Sequence, residues 1–187
     1  MARTTPKQMF DHTLDAPKGW FHMAALDFPA KLSSEVTIDA YAGRCVHLNA
    51  DGEFEMGCVG DQMPIFLLQN SYDADVDNYG GTYWYPIGPT GTINGLVGKG
   101  AYMLETTEFD PDQEYAPNDP LRAIASNSNQ TTGGRLTNQG VVKVASGTPA
   151  AATAVVGHVA IPPRKRQSDR KKVLCFWPGH HPGAAGL

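Results

Sequence analysis

Residues 73–81 read DADVDNYGG, and three aspartates at alternate positions are the first arrangement that could do chemistry, by holding a hard cation. An EF-hand loop needs acidic oxygens at its first, third and fifth positions, glycine at the sixth and a bidentate Glu at the twelfth. Asp73, Asp75 and Asp77 meet the first requirement only. The sixth position is Asn78 and the twelfth is Trp84, which cannot ligate calcium. The stretch reads instead as a turn, in which Asp and Asn bond their own backbone and Gly80 and Gly81 supply unusual dihedrals.

Thiols and imidazoles come next. Cys45 and His47 form a C-x-H pair on one side of an expected strand, and Cys58 follows across a hairpin with no fourth ligand. Core thiols beside a cross-strand histidine explain the set. Cys175, His180 and His181 lie at the glycine-rich terminus PGHHPGAAGL, which does not fix ligand geometry. Three cysteines are an odd number and never form C-x-x-C, so no disulfide framework or zinc ribbon is indicated.

No G-x-S-x-G elbow, P-loop or dinucleotide glycine pattern occurs. GLVGKG, residues 95–100, lies in a strand-rich region without the helix N-terminus that would hold a phosphate. Glu53 and Glu55 share one face of a strand, the arrangement of a solvent-facing hairpin edge. These readings predict no catalytic residue, no metal and no cofactor.

The sharpest feature is charge. The chain carries a net charge of −4, yet Arg164, Lys165, Arg166, Arg170, Lys171 and Lys172 against the single Asp169 make one segment +5 and leave −9 elsewhere. A nucleic-acid binder would add a basic body and stacking aromatics. Contact with phosphate or with an acidic partner surface, or a solvated loop between two strands, are the readings left.

The elements that must position these residues are strands. Twenty glycines and fourteen prolines make 34 of 187 residues, about 18% against a usual ~12%, so no window stays clean enough for a long helix. Residues 1–33, with Pro6, Pro17 and Pro29 among Phe10, Trp20, Phe21 and Phe28, read as an extended arm needing a surface to lie on, that of its own chain in the first instance or of a neighbour. From residue 34 to 178 the pattern is a β-rich domain, and 179–187 a flexible tail. Val36, Ile38 and Ala40 alternate with polar residues. Cys45–Leu48 and Phe54–Met56 flank a turn at Asn49, Ala50, Asp51 and Gly52, predicting a hairpin.

PIFLLQ, residues 64–69, predicts a strand covered on both faces. Further strands are expected at Thr82–Gly88, Thr92–Leu96, Tyr102–Thr106, Val141–Val144, Ala154–Ile161 and Lys172–Trp177. YAPNDPLRA reads as a proline-rich excursion and SNSNQTTGGRLTNQG as a polar loop. Many short strands with punctuating turns predict a mainly β fold, a single β-sandwich or barrel. The N-terminus lacks the apolar core of a signal peptide and no run approaches a membrane span. Synthesis in the cytosol is the expectation.

The order AGRCVHLNADGEFEMG, MPIFLLQ, GTINGLVGKGAYMLETTEFD, YAPNDPLRA, GGRLTNQGVV, VVGHVAI and VLCFWP resembles the head decoration, or cement, proteins of tailed bacteriophages over residues 35–178. The resemblance implies a β-rich module without enzymatic activity, made in the host cytoplasm and carried on the capsid exterior of the virion. It implies a homotrimer bridging subunits of the major capsid protein, with no membrane and no direct nucleic-acid contact. The arm, through Trp20, Phe21 and Phe28, and the basic segment lie outside the shared pattern and are the expected contacts to neighbouring subunits. The alternative is a carbohydrate- or receptor-binding module of a tail or baseplate, using Tyr83, Trp84 and Tyr85 as stacking platforms beside the aspartate loop.

Overall fold

The computed structural model describes residues 14–15, 27–34, 36, 40–68, 92–97, 103–124, 132–139, 154–167 and 169–181. Among them there is no α-helix; the chain is mainly β. Eleven strands are described: β1 (Leu14–Asp15), β2 (Asp27–Lys31), β3 (Cys45–Leu48), β4 (Phe54–Met56), β5 (Ile65–Leu67), β6 (Thr92–Val97), β7 (Leu104–Thr106), β8 (Pro120–Ala123), β9 (Leu136–Thr137), β10 (Val155–Lys165) and β11 (Lys172–His181). They form two antiparallel sheets. One runs β1-β7-β11-β10-β8-β9 and the other β2-β6-β5-β3-β4.

The expected β3–β4 hairpin forms around its turn. Val46 pairs with Met56 and Leu48 with Phe54, and Asn49 Oδ1 accepts from the amides of Asp51 at 3.0 Å and Glu53 at 2.9 Å. Gly52 closes the turn at φ +76°, a left-handed conformation that costs glycine little. Val36 and Ala40 lie outside any strand, and residues 37–39 between them are outside the described residues.

The two sheets share a core. Cys45 and Phe66 of the five-stranded sheet face Leu104, Leu121, Val156, Val159, Leu174 and Phe176 of the six-stranded one. The rings of Phe66 and Phe176 meet at 5.1 Å between centroids. Successive strand residues point to opposite faces, so Val46, Ile65 and Leu67 emerge on the other side of the five-stranded sheet. There they pack with Phe54, Met56, Ala30 and Ala40, with Leu32 and Val36 against them. All three residues of β5 are therefore buried, as the apolar run PIFLLQ predicts.

Several elements depart from the sequence reading. Both described parts of residues 1–33 are strands where only an extended arm was expected, and both lie on the chain's own sheets: Leu14–Asp15 beside β7 and Asp27–Lys31 beside β6 over five residues. The excursion YAPNDPLRA ends in a strand, β8, because Leu121 and Ala123 are buried alternately and Pro120 occupies the strand's first position, where a missing N–H is tolerated. The polar loop holds the two-residue β9. It is tied in by Gly134, whose φ of +76° and approach to the Cys45 carbonyl leave no room for a Cβ.

The last two strands make the longest hairpin, from Val155↔His181 to Lys165↔Lys172, so β11 extends past residue 178. The strand β8 accompanies β10 only as far as His158, and Val159 bonds Asn118 and Asp119 beyond it. From Ala160 to Lys165, among the described residues, the edge of β10 away from β11 is unpaired and carries Pro162 and Pro163. The expected strands Thr82–Gly88 and Val141–Val144 and the aspartate loop lie outside the described residues.

Candidate partner-binding surface

The basic segment is the tip of the β10–β11 hairpin. The six residues do not act alike. Register pairing places Glu105 beside Cys175 and Cys175 beside Ile161, on the face of the six-stranded sheet opposite the shared core. Glu105 is 3% exposed, and a carboxylate so buried needs charge partners. Arg164 Nη2 donates to its Oε2 at 2.9 Å and Arg166 Nη1 to its Oε1 at 3.2 Å.

Asp169 locks the loop between the strands. It forms a two-point ion pair with Arg166, through Nε at 3.0 Å and through Nη2, and accepts from the Lys171 amide at 3.1 Å. The Arg166 guanidinium holds the Asp169 carboxyl down at about 2, and the same bond to Asp169 pushes the Arg166 pKa upward. The backbone closes with Arg166 N–H on the Lys171 carbonyl at 2.8 Å and Arg170 N–H on the Arg166 carbonyl at 2.9 Å. Arg170 sits at φ +65°. Lys165, Arg170 and Lys172 remain exposed and form no ion pair among the described residues.

A second buried glutamate follows three residues after the first. Glu108 meets Arg44 Nε at 2.9 Å and Arg135 Nε at 3.5 Å. Arg44 also donates to the Gly133 carbonyl at 3.3 Å and lies 4.8 Å from the Tyr41 ring centre. Burial lowers the Arg44 pKa, with Glu108 opposing that shift. This pair joins the entry to β3 in one sheet to the exit of β7 in the other. Its role is architectural.

The thiol, imidazole and carboxylate groups considered in the sequence are placed as follows. His47 Nδ1–H donates to the Gly57 carbonyl at 2.9 Å, and its Nε2 lies 3.7 Å from Glu55, its cross-strand partner. The Cys58 thiol donates to the Gln62 carbonyl at 3.0 Å. Burial pushes the Cys45 and Cys175 thiols up, away from the nucleophilic thiolate. Glu55 accepts from Asn49 Nδ2 at 3.0 Å. Among the described residues no three His, Cys, Asp or Glu side chains are arranged to hold a metal ion, and no helix is long and apolar enough to cross a membrane.

Of the predicted partner contacts, the structure brings the six basic residues together and assigns Arg164 and Arg166 to the internal clamp on Glu105. Phe28 lies in β2 opposite Gly95, while Trp20 and Phe21 lie outside the described residues. Residue-level reading missed Glu105, Ile161 and Trp177. The available signal was alternation in VLCFWP, which puts Cys175 and Trp177 on the face away from Leu174 and Phe176. Comparison with family models, with curated proteins and with solved structures finds no match for this chain.

Proposed function

We propose that the protein is a virion structural component, a decoration or cement protein that binds the outside of an assembled phage head as a homotrimer and bridges subunits of the major capsid protein. The observation that carries this reading is the hairpin tip. Its cations are presented from two paired strands anchored on a buried glutamate, so little conformational freedom is lost when the tip meets an acidic surface. Adhesion to a repeating shell multiplies many such weak contacts into high avidity. The resemblance in turn order and strand order supports the same reading.

The test is co-sedimentation of the full chain with purified assembled heads. Saturable pelleting that weakens with added salt is expected; no pelleting at low ionic strength would overturn the reading. A truncation lacking residues 1–25 spares β2 and removes only the two-residue β1 from the sheets, so with folding checked by circular dichroism it asks what the arm adds. Removing residues 1–33 also strips an outer strand from the five-stranded sheet, so loss of binding there would report on folding as well.

A further inference from the structure

We infer that the outward face of the β10–β11 hairpin is a protein-docking surface, whose partner presents apolar side chains flanked by carboxylates. Trp177 pairs with His158, Cys175 with Ile161 and Val173 with Arg164, and paired residues of a sheet share a face. Trp177 is 46% exposed and Ile161 37%, while the Arg164 side chain is 41% exposed even as it holds Glu105. The rows between them are filled by Cys175, Val173 and Glu105, all buried. An aromatic, an aliphatic and an arginine therefore stand in a stripe of about 13 Å beside a buried base.

Charge identifies the occupant. Arg170 at the hairpin tip is exposed and forms no ion pair among the described residues, and Arg164 keeps 41% of its side chain exposed, so the complement is acidic. Trp and Arg are the residue types that dominate protein interfaces. A duplex carries one charge per ~1.7 Å of axis and would run from the tip onto a chain whose remainder is −9. Pro162 and Pro163 offer no N–H to an added strand, so recognition is through side chains. The inference rests on the proposed function only for naming the partner as a capsid surface.

The experiment is interferometry of the full chain on immobilised poly(Glu,Tyr) copolymer, with poly-glutamate and a short DNA duplex as comparison surfaces. Tightest binding to the copolymer, weakening with salt, is expected. Trp177→Ala and Arg170→Glu should each lower that affinity by about tenfold, Ile161→Ser severalfold, and Lys31→Glu on β2 hardly at all. Wild-type affinity in the Trp177 and Arg170 variants, preference for the duplex, or Trp177-dependent self-association in place of copolymer binding would overturn the inference. Copolymer binding without head binding sinks the proposed function alone. Head binding that ignores Trp177 and Arg170 sinks this inference alone.

Discussion

Arg44 and Glu108, 64 residues apart in sequence, meet at 2.9 Å with both side chains 2% exposed. They join the two sheets through a charge pair where most sandwiches use apolar contacts. Removing one partner of such a pair strands the other in a poorly solvated site. Arg44→Met should therefore cost about 3 kcal/mol, the lower end of the usual range because Arg135 stays near Glu108. Combining it with Glu108→Leu should recover much of the loss. Urea unfolding of the two single variants and the double variant measures this, and additive losses would contradict it.

Glu105 offers a contrast. Of its two arginines, Arg164 has a side chain 41% exposed and Arg166 one 14% exposed, so water replaces the lost carboxylate at Arg164 where it cannot at Arg44, 2% exposed. Glu105→Gln is expected to cost at least ~1 kcal/mol less than Glu108→Gln. It should nevertheless speed tryptic cleavage at Lys165 and Arg170, because the tip loses its anchor. Equal unfolding costs, or an unchanged cleavage rate, would count against the clamp.

Asp169 gives a pH signature. Its folded pKa of about 2 lies below the ordinary 3.8 because of the bond to Arg166. A depressed carboxylate stabilises the fold above its unfolded pKa, and that stability fades as pH falls from about 4 to about 2. The pair is exposed, so its worth is under ~1 kcal/mol. Subtracting the urea midpoints of Asp169→Asn from those of the wild type should give a difference present at pH 5 and absent near pH 2.

Two turn glycines share φ +76° but not their surroundings. At Gly52 a Cβ would meet nothing within 4 Å, whereas at Gly134 it would lie 2.6 Å from the Cys45 carbonyl oxygen. Gly52→Ala should cost about 1 kcal/mol from backbone strain alone. Gly134→Ala adds a collision between main chains, and a loss exceeding ~3 kcal/mol is expected. Thermal midpoints rank the two.

Legibility in the sequence followed the regularity of each strand. The β3–β4 hairpin and β5 show in alternation or in an unbroken apolar run, and both form where expected. The strand β2 was hidden by Pro29, which usually argues against a strand. It is tolerated here because β2 is outermost and pairs only with β6. Pro120 masked β8 in the same way. The clamp was illegible for a different reason: Arg164 and Glu105 stand 59 residues apart, and only the β7–β11–β10 register makes them neighbours. Composition shows a basic segment, but not which of its cations the fold consumes.

The margin of β10 that has no strand partner among the described residues bears on what happens when many copies are crowded together. Bare strand margins normally template fibrils by exchanging main-chain bonds with the next molecule. Pro162 and Pro163 in this stretch offer no N–H to a strand added there, which interrupts that zipper. Crowded copies of the chain are thereby hindered from coalescing into amyloid-like ribbons along this border.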